Sequence, residues 1–216
     1  MAARASGRLR IISWVLSSVL SPVANRADAR LYDGRVAAAI PFPDPPLSGP
    51  QFTLRPFRPA DFAAARALDE RAGEPGWVEA LPEPDGAGMA EAFEEHRGDG
   101  SLLQLVIADP ESGAYLGELS LAMLEPGIAE LGCAVVPAAR RRGIATAVLR
   151  LVSSWGLEAL ALRRLQVTVD PRNTPALRLA ERAGYRREGV LRAYREVDGE
   201  RIDAVLLSRI AGDPSP

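Results

Sequence analysis

In the stretch Glu130-Leu-Gly-Cys-Ala-Val-Val-Pro-Ala-Ala-Arg-Arg-Arg-Gly-Ile-Ala-Thr146, a carboxylate opens a short apolar run and three arginines precede a glycine. Two chemistries fit these types and spacings. A carboxylate at the start of a buried strand can act as a proton acceptor, directly or through water. The bland alternative is a carboxylate that only caps a strand edge. Arg140, Arg141 and Arg142 crowd the start of a helical pattern, where the helix dipole already presents positive charge. Each cation there costs roughly 0.3–1 kcal/mol unless an anion sits beside it. Gly143 and Ala145 let a ligand approach the free N–H groups of the first turn, at Ile144, Ala145 and Thr146. A phosphate cradle and a solvated surface turn are the two readings that this composition leaves open. It is not a Walker loop, which would end in Gly-Lys-Ser/Thr.

The elements that must position these groups are a strand and a helix. Leu131–Val136 is a mostly apolar run with the look of a strand covered on both faces, and Pro137 ends it by removing a ladder donor. Ile144, Ala147, Val148, Leu151, Val152 and Trp155 then recur as one helical apolar stripe.

At 216 residues and 47% hydrophobic, the chain can bury a sizeable core, and its net charge of -2 gives no electrostatic signature of a nucleic-acid partner. All 26 basic residues are arginine, so clusters of arginine carry less weight here than in a mixed composition. One cysteine, Cys133, excludes an internal disulfide framework and fits a reducing compartment; within a core strand it reads as a small apolar residue rather than a nucleophile. With His96 as the single histidine, neither a His-Cys zinc site nor a His-based triad has its ligands, and no metal is expected.

Residues 1–48 differ from the rest, with an apolar run from Ile11 to Leu20 and a Pro-rich segment at Pro41-Phe-Pro-Asp-Pro-Pro. They read as an N-terminal extension and linker. A disordered or loosely helical extension, an amphipathic surface or partner helix and an export or targeting signal all fit; the run is too short to span a bilayer. The domain proper is expected over 49–212. It opens with a strand at Phe52, then a helix capped by Asp61 and a Pro/Gly-rich loop holding Trp77, Glu79, Glu83 and Asp85. A helix follows over Met89–Arg97, then strands at Leu102–Ala108 and Tyr115–Met123. After the long helix come a strand at Leu165–Asp170, a helix capped by Asn173 or Thr174, and two strands joined at Asp198-Gly199. Leu131 through Val169 forms a strand-helix-strand unit, whose two strands should be parallel.

Arg140-x-x-Gly143-x-Ala145 after a buried strand resembles the acetyl-coenzyme A pyrophosphate loop of the GNAT N-acetyltransferases, usually Gln/Arg-x-x-Gly-x-Gly/Ala. The second half tightens the likeness: Asp170-x-x-Asn173-Thr-x-Ala-x-Arg-x-x-Glu-x-x-Gly184-Tyr185-x-x-Glu188-Gly189-x-Leu191-Arg192, then Asp198-Gly199 and Asp203, is similar to the ribosomal-protein-alanine acetyltransferase branch, the RimJ/RimL type. The resemblance covers residues 50–210. It implies an α/β (α+β) fold with a mixed, mostly antiparallel sheet, flanked by helices and split at a splayed parallel strand pair.

It also implies sites. Acetyl-CoA would enter the splay, with backbone groups of Cys133, Ala134 and Val135 on the pantetheine and the thioester carbonyl. The pyrophosphate would rest on Arg140, Arg141, Arg142, Gly143, Ile144, Ala145 and Thr146. Glu130 matches the general-base glutamate of several members. Asn173 matches an asparagine that contacts the cofactor arm or an ordered water, and a helix-cap role is compatible with that. Two departures stand out: Ala180 and Leu207 occupy positions where a tyrosine is usual, so the general acid falls to solvent water, Asn173 or Tyr194. The resemblance implies a cytoplasmic monomer or homodimer moving acetyl to a primary amine, with no metal and no membrane partner. The amine is a protein N-terminus or, alternatively, an amino sugar, polyamine or antibiotic. A non-catalytic acyl-CoA sensor is the competing class.

Overall fold

The computed structural model describes residues 38–72, 85–197 and 200–214. Eight strands form one sheet: β1 (Ser48–Gly49), β2 (Phe52–Pro56), β3 (Leu102–Ala108), β4 (Tyr115–Glu125), β5 (Ile128–Val135), β6 (Arg164–Val169), β7 (Arg186–Val197) and β8 (Glu200–Ile210). Their spatial order is β1-β2-β3-β4-β5-β6-β8-β7, and every neighbouring pair is antiparallel except β5 and β6. The helices are α1 (Phe62–Ala72), α2 (Gly86–Gly98), α3 (Ile144–Glu158) and α4 (Thr174–Arg182).

The sheet is covered on both faces. Alternation along β3, β4 and β5 sends Leu103, Leu105, Leu119, Leu121 and Leu131 to one face, where they pack with Ile144, Val148 and Val152 of α3 and Ala176 and Ala180 of α4. Leu102, Val106 and Ala122 point the other way, to Ala65 of α1 and Met89 and Phe93 of α2. The buried face of α3 is turned slightly from the stripe read in the sequence: Leu149, Ser153 and Gly156 are buried, while Ala147, Leu151 and Trp155 are only partly so. Gly156 allows the turn, because a Cβ there would stand 3.3 Å from the side chains of both Leu162 and Leu165.

Several local expectations need correction. Helix α2 starts three residues earlier than its hydrophobic pattern suggested, because Asp85 caps it, accepting from Gly88 N–H at 2.6 Å, and the cap outweighs the poor propensity of two glycines. Asp85 therefore serves as a cap. Asp61 does not cap α1: its carboxylate accepts from the Arg55 guanidinium at 2.7 and 2.8 Å and from Arg58 N–H at 2.8 Å, closing a 3-10 turn before the helix. Part of the stretch assigned to a linker is packed. Ile40 is buried in the core and exchanges hydrogen bonds with Arg97, whose guanidinium stacks 4.8 Å over the Phe42 ring. Trp77, Glu79, Glu83, the Asp198-Gly199 turn and the apolar run at 11–20 lie outside the described residues. Among the described residues, no helix is long and apolar enough to cross a membrane.

Candidate active site

β5 and β6 run parallel for only three pairs, Ile128 with Arg164, Ala129 with Leu165 and Glu130 with Gln166, and then part. Past that point β5 stays on β4 as far as Val135, and β6 stays on β8 as far as Val169. The result is a wedge-shaped cleft lined by Leu131 and Cys133, Val167 and Val169, Ala145 and Leu149 of α3, and Ala176 and Ala180 of α4.

The ladder says which backbone groups face the wedge. Val136 N–H donates to Leu116 O on the β4 side at 2.8 Å. Alternation then turns Ala134, paired with Glu118, to β4 as well, and points Cys133 and Val135 toward the wedge. The Val135 carbonyl is taken by Arg140 Nε at 2.9 Å. So of the three residues expected to offer backbone groups, Cys133 and Val135 face the cleft and Ala134 does not.

The Arg-rich loop is built by two left-handed residues, Arg141 at φ 60 and Gly143 at φ 82. Gly143 is the N-cap of α3 and brings no side chain to the first turn, whose N–H groups therefore face outward uncapped. A Cβ on Gly143 would meet nothing within 4 Å, so its value is conformational rather than steric. The three arginines are not equivalent. Arg140 is tied to β5, and Arg142 Nε donates to Gln51 Oε1 at 3.0 Å, while Arg141 is exposed at the loop's tip.

Asn173 caps α4 with its side-chain oxygen, which accepts from Ala176 N–H at 3.2 Å. Its amide nitrogen, buried, has no partner among the described residues. The cap thus uses one half of the amide and leaves the donor half for a ligand. Cys133 lines the wedge, with its thiol pushed up to about 12 by burial and, second, by the nearby charge of Glu118; it is a protonated thiol at neutral pH.

Glu130 lies on the opposite sheet face from Leu131 and Cys133, at the vertex of the wedge, and is 1% exposed. Oε1 accepts the Thr168 hydroxyl at 2.6 Å and Oε2 accepts the Gln166 amide at 3.1 Å. Half-buried Tyr194 stands close enough that the charge of Glu130, after burial, raises its pKa, so the phenol keeps its proton. The same face carries buried Glu118, whose Oε2 accepts from Tyr115 OH at 2.9 Å, and Gln104 and Ser120, opposite each other in register with side-chain atoms that have no partner among the described residues. Sequence reasoning missed Gln166, Thr168, Glu118, Gln104 and Ser120. Their signal was present as polar residues at every second position of apolar strands. Ala180 and Leu207 are both buried core positions, and neither offers a hydroxyl to the wedge.

Comparisons with known proteins bear on this geometry. Residues 51–186 match the family model of the acetyltransferase (GNAT) domain. Among curated relatives, the uncharacterised N-acetyltransferase YoaA of Bacillus subtilis (strain 168) is 36% identical over 80 residues, which is 37% of this chain and 45% of YoaA. The matches span between 40% and 63% of the curated relatives' own lengths. Among solved structures, Mycobacterium smegmatis RimJ in complex with CoA-disulfide superposes with a TM-score of 0.63 at 28% identity, covering 74% of this chain and 82% of that one. A mutant form of the spermidine N-acetyltransferase SpeG from Vibrio cholerae gives 0.65 at 20% identity over 75% and 95%, a likeness of fold.

Proposed function

From the premise that this chain belongs to the GNAT acetyltransferase family, we propose that it moves the acetyl group of acetyl-CoA to a primary amine, the α-amine of a protein N-terminus, by direct attack. The observation that carries this reading is the wedge itself. A parallel strand pair that parts after Glu130 leaves the Cys133 backbone and the Val135 N–H facing an apolar slot with no neighbouring strand to pair with, which is costly unless a ligand completes the ladder. The residues present fit acetyl-CoA: outward N–H groups at Ile144, Ala145 and Thr146 with exposed Arg141 for phosphate, the free amide of Asn173 for a polar arm, and the apolar wedge for a slender chain.

Acetyl-CoA supplies an activated acetyl thioester. The chain's own groups do the rest. Cys133 and Val135 offer backbone N–H donors toward the cleft, where a carbonyl oxygen gains negative charge during acyl transfer. Glu130 accepts the proton that the acceptor nitrogen must lose as the amine attacks the thioester carbonyl, directly or through a water. Tyr194, held protonated beside Glu130, is the group that can return a proton to the departing sulfur. Arg140 and Arg142 each commit their Nε to shaping the loop, which leaves Arg141 the arginine best placed to meet phosphate.

The peptide acceptor is favoured by the motif run from Asp170 to Asp203 and by the likeness to RimJ. A second reading, a cationic small amine, is favoured by Glu118 and Glu130, two buried carboxylates on one face of the sheet. Incubating the purified full chain and acetyl-CoA with N-terminal peptides, polyamines and aminoglycosides, and reading products by mass spectrometry, separates the two. Acetylated peptide supports the first reading, acetylated polyamine or aminoglycoside the second, and tight CoA binding with no product from any amine would leave a sensor instead. The domain is proposed to extend from the packed segment at Ile40 to near residue 212, in a cytoplasmic protein.

A further inference from the structure

We propose that Arg195 and Arg164 are positioning residues for Glu130, each acting through one uncharged residue of β6. The proposal rests on Glu130 being the proton acceptor, as argued above. The chemistry of the donors fixes the argument. Arg195 Nη2 lies 2.8 Å from Thr168 Oγ1 and 2.6 Å from Thr168 O. A guanidinium can only donate, so a lone pair of the hydroxyl takes that bond, and its one hydrogen must go to Glu130 Oε1, 2.6 Å away. The second oxygen is governed in the same way. Arg164 Nε and Nη2 both stand 3.3 Å from Gln166 Oε1, which turns the amide so that its NH2 faces Glu130 Oε2. Arg164 is itself held by Glu188 in a forked pair at 2.7 and 2.6 Å.

The interposed residues matter for what Glu130 can still do. A guanidinium docked straight onto the carboxylate would occupy both oxygens as a fork and lock a buried ion pair. Through Thr168 and Gln166, each oxygen accepts one protein hydrogen bond and keeps a lone pair for an amine or water. Arg195 is 3% exposed and bonds to β6 from β7, so two of the three strands on the far side of the wedge are made to hold the carboxylate of β5.

The test uses kinetics of the full chain with acetyl-CoA and an N-terminal peptide as acceptor, after thermal melts show that each variant folds. Thr168→Val keeps the shape and removes the hydrogen; it should lower kcat about tenfold, the loss of one hydrogen bond to a charged group, with the KM for acetyl-CoA unchanged. Thr168→Ser keeps the hydroxyl and should restore most of kcat. Arg195→Met should match Thr168→Val, and adding Thr168→Val to Glu130→Gln should cost nothing further. Thr168→Val with full activity, Thr168→Ser as impaired as Thr168→Val, or fully additive losses in the double variant would each overturn the proposal. If Arg195→Met does not fold, the Thr168 pair decides alone. Failure of the underlying reading is separable: unchanged turnover in Glu130→Gln would remove the base itself, whereas a loss there with an active Thr168→Val removes only the positioning role.

Discussion

Glu130 and Gln166 are the last ladder partners of the parallel pair, and their side chains meet at 3.1 Å at the point where β5 and β6 part. Beyond them the strands no longer pair, and Leu131 and Cys133 of β5 and Val167 and Val169 of β6 line the cleft. One pair therefore marks both the vertex of the cleft and the buried carboxylate proposed to take the proton.

Asn173 divides its amide between two jobs, and substitutions can separate them. Asn173→Ala should lose about 1 kcal/mol of stability with the cap, and also the donor toward CoA. Asn173→Ser should recover the stability, since serine caps as well, but not the CoA affinity. Thermal melts and calorimetric CoA titration of the three proteins check this; equal CoA affinity in all three would mean that the buried amide nitrogen meets no ligand.

Gly143 is required for its left-handed backbone, not for space. Gly143→Val should cost roughly 1–2 kcal/mol and disorder the first turn of α3, weakening CoA binding, whereas Gly143→Asn should be much milder. CoA titration ranks them, and an equally weak Asn variant would point to steric contact with the ligand instead.

The thiol of Cys133, at about 12, should resist alkylation at pH 8 in the folded protein and react at once in denaturant. Cys133→Ala should keep acetyl transfer within a few fold. Rapid iodoacetamide labelling of the native chain, or loss of activity in the alanine variant, would reinstate the thiol as a reacting group.

Much of the local structure that these predictions rest on is legible in the sequence. Gly143, the apolar run before it and the stripe of α3 declared the strand-loop-helix unit, because each is local and periodic. Asp170 and Asn173 declared the next cap in the same way. The two-residue β1 carries no periodicity and was invisible, and the glycines at the start of α2 hid a helix that Asp85 caps. Arg140 reads as a phosphate ligand in the sequence, and the bond from its Nε to the Val135 carbonyl could not be foreseen, since composition cannot say where a long side chain folds back. Arg195 and Thr168 lie 27 residues apart and meet only through strand order, so no local pattern could join them.

Glu188 gives a stability signature with pH. The Arg164 guanidinium, then the Ser208 hydroxyl, hold its carboxyl down to about 2. A depressed carboxylate stabilises the fold above its unfolded pKa and loses that contribution as pH falls through the folded one. Wild type should therefore exceed Glu188→Gln in stability at pH 7, by about 1 kcal/mol or less for so exposed a pair, with the gap closing between pH 4.5 and 2. Denaturant melts of both proteins across that range check the sign; a gap that widens toward acid would contradict it.

The central claim is that Glu130, at the vertex of the β5–β6 wedge, takes the proton from an amine attacking acetyl-CoA. The most direct measurement is acceptor-dependent thiol release from acetyl-CoA by wild type and Glu130→Gln at neutral pH, with CoA affinity measured in parallel. The account predicts a loss of about tenfold or more in kcat with CoA binding unchanged. Equal turnover in the two proteins would contradict it.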